Sequence, residues 1–499
     1  MSGGAGASRP RAGKSSFLAD FTATSAAQVL SVGLNALSLA LISRRLGQVD
    51  LGLYTLERRG MSILQPFVLL GLSVATPRFV ALSLKKYSAE AESYALTGSR
   101  VVFVVSALFA AFALAVPAPV AEIFFGDSSA VGLARVLGTF TFATACFQIA
   151  YSVSRGYLHM GRANVAEIAA VGAIPLALAA IGPTDILDLM WWLAGGVALV
   201  ALVLAVSEPG LRAGLLSPGR HATRTARAAL LRYGLARTPG DIAAVALFAL
   251  APIVVVHWAG PTDAGYTSIV VTALSFVAVG AVPLGVLLLP RVAVDVSTSE
   301  KFPHDKYVML AEATADISFA LAGLLFVASP LVAEFWIPDA PAQVVTGIEV
   351  ASIGIPGYVF YLVFRSYLDA IDRRPLSSAA TIAGVGVLVV LLPLLLVLDT
   401  FEPTVSAAVA LLVALNVAGL VTYRLVSRRV EGFMGMGFVA PVAGVLVLSV
   451  PLGVVTRDSG LLVVAAAAAL AGIAFLLALG VSRRRWIAEL RARAAGRTA

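Results

Sequence analysis

The sequence predicts an all-α, polytopic membrane protein of about 14 transmembrane helices, arranged as two parallel six-helix lobes with pseudo-twofold symmetry plus two C-terminal helices. Three observations carry this. Of 499 residues, 59% are hydrophobic and only 13% are charged, more apolar surface than a water-facing shell can cover. The apolar residues fall in about fourteen runs of roughly 20 residues, long enough to cross a bilayer as helices and lacking the alternation of barrel strands. Finally, the stretch Gly47 to Ala81 recurs. Gly47, Asp50, Gly52, Pro77 and Arg78 return as Gly260, Asp263, Gly265, Pro290 and Arg291, in one ungapped register of 213 positions.

Residues 1–16, with Arg9, Arg11 and Lys14, read as a polar, disordered cytoplasmic arm without a cleavable signal. Residues 17–207 form a first lobe with spans at roughly 21–43, 60–84, 98–118, 132–153, 164–182 and 187–206. A basic linker, 208–236, leads to a second lobe, 237–427, with spans at roughly 238–258, 267–289, 310–333, 343–364, 377–398 and 404–425. Two further spans occupy 428–482, at roughly 434–455 and 459–481, and 483–499 is a basic tail with Trp486 at the interface.

Charge sets the orientation. With both termini in the cytoplasm, 30 of the 36 basic residues fall on the inner side, as the positive-inside rule requires. The net charge of +8 therefore reads as topology and anionic inner-leaflet lipid rather than nucleic-acid binding. Four of the six remaining basic residues are Arg44, Arg45, Arg58 and Arg59, clustered around the repeated stretch. The single cysteine, Cys146, lies in an apolar run, so the chain builds no internal disulfide.

The repeat extends further. Val120-Ala121-Glu122 and Asp127 pair with Val332-Ala333-Glu334 and Asp339, and Tyr151, Arg155, Tyr157 and Leu158 pair with Tyr361, Arg365, Tyr367 and Leu368. Six spans per lobe is an even number, so both lobes enter the membrane from the same side and enclose a central cavity. Spans 13 and 14 have no counterpart.

Two six-span lobes, two extra spans, and the turn LGQVDLGLY leading into a span that ends PRFVA resemble the polysaccharide (O-antigen type) flippases of the multidrug/oligosaccharidyl-lipid/polysaccharide exporter superfamily. The resemblance covers essentially the whole chain and rests on architecture and loose motifs. It implies that the protein moves a polyprenyl-(pyro)phosphate-linked glycan from the inner to the outer leaflet by alternating access between lobes. It implies no cofactor, and glycan-assembly enzymes as neighbours. It carries over no residue set that fixes the sugar.

Span 1 places Thr24, Gln28, Ser31, Asn35 and Ser38 on one helical face, which continues to Arg45. Span 2 carries Arg58, Ser62 and Gln65 at the same kind of spacing. Polar stripes are costly against lipid, so they face a wet cavity or glue helices together across a dry interface. What both lobes share is explained by the common architecture; what only one lobe has is not. Arg58 and Arg59 meet Val271 and Thr272 in the second copy, so they are the leading candidates to grip a diphosphate, for which arginine has the fork geometry. Snorkelling to headgroups is the plain alternative. Arg45, Ser62, Gln65, Gln28 and Asn35 complete the candidate cavity lining.

Arg237 and Asp241, four apart at the start of span 7, are candidates for gating or ion coupling, or form a simple helix pair. Arg155 and Arg365, each four residues after a tyrosine, are candidates for an entry ring or for ordinary positive-inside charge. Glu167 and Glu349 are lone acids that can bind a coupling ion. His159, His257 and His304 have no metal-ligand spacing.

Two other classes compete. A drug/cation antiporter of the same superfamily needs acids deep in its spans, whereas spans 1 and 7 offer only Asp20 and Asp241 near their inner ends. A membrane glycosyltransferase or polymerase needs paired carboxylates or a large outer loop, and the chain has no Asp-x-Asp. The chain is therefore expected not to be an enzyme.

Overall fold

The computed structural model describes residues 14–84, 88–208, 210–212, 224–298, 304–371 and 376–428, with 463, 464 and 466. The expected last two spans and the basic tail lie outside the described residues, apart from those last three positions.

The N-lobe comprises α1 (Lys14–Leu46), α2 (Gln48–Leu69), α3 (Leu72–Ser83), α4 (Ser88–Ala115), α5 (Pro117–Phe125), α6 (Val131–Gly156), α7 (Met160–Glu167), a π-helical turn (Ile168–Ala173), α8 (Ile174–Ile181) and α9 (Ile186–Ser207). The C-lobe comprises α10 (Arg224–Thr298), α11 (His304–Trp336), α12 (Ala342–Ser352), α13 (Ile355–Ile371), α14 (Leu376–Val397) and α15 (Pro403–Ser427). No strand occurs among the described residues. Helices are the form an apolar chain must take in lipid, because each satisfies its own backbone.

Among the described residues, nine helices are long and apolar enough to cross a membrane, or eleven when two bent pairs count as one span each. One of the nine, α10, holds two spans joined at Gly260. The described residues therefore contain the twelve spans expected of the two lobes. Three boundaries differ from expectation. Residues 14–16, expected in the arm, open α1, and α10 begins inside the expected linker. The second span begins at Gln48 rather than near residue 60, so Arg58 and Arg59 sit two to three turns inside a helix instead of at its edge.

Repeated sequence gives repeated backbone. Gly47 (φ 91°, ψ −178°) and Gly260 (φ 82°, ψ −177°) turn the chain identically. This conformation is open to glycine and strained for any side chain. The second span then breaks at Leu70 (φ 50°) and Gly71 (φ 68°), bending 48° between α2 and α3. The tenth span bends similarly, by 49°, between α12 and α13.

The lobes meet at the end that carries the Gly47 and Gly260 turns. There α2 packs chiefly against the second arm of α10, its own repeat mate. A Cβ on Gly265 would lie 2.8 Å from Gly52 Cα, and one on Gly52 would collide with the Pro261 carbonyl. Trp336 Nε1 donates to the Ala36 carbonyl (3.1 Å), Arg44 donates to that of Phe335 (3.3 Å), and His257 Nε2 sits 3.0 Å from that of Ile123. A small apolar cluster, with Leu56, Phe125 and Leu137 from one lobe and Ile253, Val256 and Ala264 from the other, fills the space beneath. Burial of this kind excludes water and closes this end of the molecule.

Candidate functional site

Arg58 and Arg59 project from adjacent positions of α2. Helical geometry turns neighbours by about 100°, so they reach different surroundings. Half-buried Arg58 donates to the Tyr54 hydroxyl one turn back (3.0 Å) and lies 5.7 Å from the centre of that ring. Arg59 reaches the other lobe, donating to Thr272 Oγ1 (3.0 Å) and to the Ser268 carbonyl (3.3 Å). Thr272 is the position that repeats Arg59. Glu57, beside them, is fully buried, and neither of its carboxylate oxygens has a hydrogen-bond partner among the described residues.

The other expected lining residues divide. Ser62 Oγ donates to the Arg58 carbonyl (2.8 Å), and Gln65 Nε2 to the Thr141 carbonyl on α6 (3.1 Å), leaving its buried oxygen unpaired. Arg45 donates to the carbonyls of Leu178, Ala179 and Gly182 (3.4 Å to Leu178 and 2.9 Å to Gly182). It thus caps the C-terminal end of α8, where the helix dipole favours a cation, and its guanidinium is spent on main chain rather than turned to a cavity.

The span-1 stripe does not act as one face either. Thr24 accepts from Asn164 Nδ2 on α7 (3.3 Å), Ser31 backs onto Gly172 of the π-helical turn, and buried Ser38 donates to the Asn35 carbonyl (2.7 Å). The bland reading, helix packing by small polar groups, describes these three. Gln28 and Asn35 remain half-buried without a side-chain partner among the described residues, and the Asn35 side-chain oxygen is buried and unpaired.

At the opposite end the structure joins residues that the sequence leaves scattered. In the C-lobe, Arg237, Asp241 and Arg365 line one polar cavity of about 40 Å³, with Tyr361, Ser378 and Thr381. Arg237 Nε stands 3.4 Å from Asp241 Oδ1. In the N-lobe, Tyr151 donates to Glu167 (2.8 Å), and Arg155 lies over the Tyr151 ring at 5.5 Å. These are two versions of one cluster. IAAVG at 168–172 recurs as IAGVG at 382–386, so Glu167 corresponds to Thr381 and Asn164 to Ser378. With the register of the first span, Thr24 and Gln28 correspond to Arg237 and Asp241. That five-residue echo is the signal by which the sequence shows the cluster, and it is legible only once Tyr151 and Tyr361 are known to face these helices.

Glu349 accepts from Ser329 Oγ at 3.3 Å inside the C-lobe. His159 belongs to a third cluster, at the ends of α6 and α9. Buried Glu208 takes Ser154 Oγ (3.2 Å) and His159 Nδ1 (3.0 Å), with Arg162 at 3.9 Å. Burial, then Glu92 and Glu208, push the neighbouring Tyr157 hydroxyl up to about 12. The side chains of His304 and Asp20 are outside the described residues. Among the described residues no group of three or more His, Cys, Asp or Glu is placed to hold a metal ion.

The candidate site thus sits in a two-lobed, pseudo-symmetric helical fold that is sealed at one end and carries arginines inside its spans. Solved structures place it more closely. An inward-facing multidrug resistance MATE family transporter of the MOP superfamily superposes with a TM-score of 0.65 at 14% identity, covering 81% of this chain and 95% of its own. The lipid II flippase MurJ, in an inward closed conformation, gives 0.62 at 13% identity over 93% of this chain and 99% of its own. A MOP-superfamily transporter from Pyrococcus furiosus, described as having a binding pocket of reverse polarity, gives 0.56 at 14% identity over 83% and 96%. No protein-family model matches the chain, and no curated protein does. The protein has the fold of the MOP-superfamily transporters, and the flippase resemblance is consistent with that fold.

Proposed function

We propose that the protein flips a polyprenyl-(pyro)phosphate-linked oligosaccharide from the cytoplasmic to the outer leaflet by alternating access, with both termini cytoplasmic and the Gly47 end outward. One observation carries the reading. Arg58 and Arg59 stand inside a membrane-crossing helix whose repeat mate has Val271 and Thr272 instead, so the shared fold does not require them. Arginine at such depth is costly unless it has work, and a diphosphate is the ligand whose charge and geometry repay two guanidinium groups. The MurJ structure also covers 93% of this chain against 81–83% for the MATE structures compared, and so reaches further along it.

On this reading Arg58, tied only to Tyr54, is the residue free to exchange its partner for substrate. Arg59 belongs to the outer closure and is released when the lobes part. Gln28 and Asn35 stay candidates for contacts to the glycan, while Arg155, Arg237, Asp241 and Arg365 lie at the cytoplasmic mouth, against an anionic leaflet.

The test is surface glycan in a deletion strain complemented with Arg58→Gln or Arg58→Gln/Arg59→Gln at matched protein abundance. Loss of glycan, with accumulation of the lipid-linked precursor inside, is expected. Normal glycan in the double variant removes the diphosphate assignment. A MATE structure has the highest TM-score among those compared, so the competing role is a drug/cation antiporter; drug sensitivity with intact glycan in the deletion strain decides for it.

A further inference from the structure

The two inner clusters are equivalent in position and unequal in charge. In the N-lobe, Glu167 supplies a carboxylate that holds Tyr151 at 2.8 Å, and Arg155 lies over the ring of that tyrosine and reaches its hydroxyl. The cation there has an anion of the same lobe one side chain away. In the C-lobe the carboxylate position is Thr381, whose hydroxyl donates to the Ser378 carbonyl at 3.0 Å. Asp241 is engaged by Arg237. Arg365 is left with no carboxylate or carbonyl partner among the described residues, although it faces a cavity. Among the described residues the half-buried guanidinium of Arg365 has Tyr358 beside it but no carboxylate of the kind that Glu167 gives its mate.

The cavity of about 40 Å³ has room for roughly three waters or one halide-sized ion. Its lining bears two guanidinium groups against one carboxylate, with the Tyr361 and Ser378 hydroxyls alongside. A metal cation would meet net repulsion there. An anion would meet fixed donors at short range, in surroundings less screened than bulk water.

We propose that this C-lobe cavity binds a small monovalent anion of chloride size, which does for Arg365 what Glu167 does for Arg155. The site is independent of the flippase reading, and it would persist in an antiporter.

The experiment is thermal unfolding of the full-length protein in detergent, followed by tryptophan fluorescence. Sodium chloride replaces sodium gluconate from 1 to 200 mM at constant ionic strength. Wild type is expected to show a saturable rise in Tm with chloride, as binding to the native state requires. Arg365→Gln should abolish the rise and Arg155→Gln should keep it. Thr381→Glu, which copies the N-lobe carboxylate, should abolish the rise and hold Tm in gluconate at or above the chloride-saturated wild-type value. Absence of a chloride response in wild type overturns the proposal, as does an undiminished response in Arg365→Gln. If that variant yields no folded protein, Thr381→Glu decides alone, and an undiminished response there overturns it equally.

Discussion

Arg59 and Thr272 occupy the same position in the two repeats, 213 residues apart, and they touch: the guanidinium donates to the threonine hydroxyl at 3.0 Å. Equivalent residues of two lobes meet only on the axis that relates them. The pseudo-twofold axis therefore passes between this pair, and also between Gly52 and Gly265, which meet backbone to backbone. Symmetry brings the two positions together and sequence makes them complementary, since two arginines there would repel. The asymmetry of the repeat is thus what lets its axis close.

Breaking that pair should weaken the closure. Thr272→Val removes one acceptor from a charged donor and should cost about 1–2 kcal/mol. A double-mutant cycle with Arg59→Gln should return a coupling of about 1 kcal/mol. Chemical or thermal unfolding of the four proteins measures it, and additive effects would show that the contact is not formed in the resting state.

Gly52 offers a sharper probe. A methyl group there collides with the Pro261 carbonyl, and backbone has no rotamer with which to give way. Gly52→Ala should cost about 1–3 kcal/mol by overpacking and shift the protein toward an open Gly47 end. Labelling of a cysteine placed at Ala264, which is buried between the lobes, in a Cys146→Ser background, should accelerate; an unchanged labelling rate would mean that the lobes absorb the methyl while closed.

Arg45 should report on α8. Arg45→Ala takes the side-chain donor from the Ala179 and Gly182 carbonyls and removes a favourable dipole interaction, for a loss of about 1–2 kcal/mol. Arg45→Lys should recover part of it, and hydrogen exchange should rise first near Gly182. Uniform exchange along the fifth span would contradict the capping role.

Glu208 gathers Ser154, His159 and Arg162 where α6 and α9 end. Glu208→Ala strips the partners from a buried acceptor and should cost about 2–3 kcal/mol. Glu208→Gln, which keeps the volume and one acceptor, should cost less. Equal losses in the two variants would show that packing matters here more than charge.

The architecture was legible because its causes are local or periodic. Apolar length alone places twelve spans, and Gly47 and Gly260 mark two turns that need a positive φ. The site was legible only in part. The unshared arginine pair could be read from the repeat, but its division of labour could not. Which of Arg58 and Arg59 reaches the other lobe depends on how α2 is rotated against α10, a property of packing that spacing does not encode. The span-1 stripe failed as a single face for a similar reason. Its regular spacing is real, yet α1 lies mainly against the fifth span, so packing consumes Thr24 and Ser31. The capping contacts of Arg45 could not be read from the sequence because the carbonyls at the end of α8 lie more than 130 residues away.

The broken second span gives the lobes a mechanical coupling. Its upper half, α2, is fastened across the axis to the other lobe, while its lower half, α3, packs mainly on α4 and α6 of its own and meets the start of α10 where Arg78 lies 4.7 Å over the Tyr233 ring. Rocking of one lobe on the other would load the joint at Leu70 and Gly71, which lies directly against Gly234 of α10. Leu70 sits there in a left-handed conformation that costs a residue with a side chain about 1–2 kcal/mol. Straightening the joint would relieve that cost while the contacts at Gly52 and Arg59 were given up. On the proposed alternating-access reading, the two halves of one helix would trade opening at one face of the membrane against relaxation at its centre.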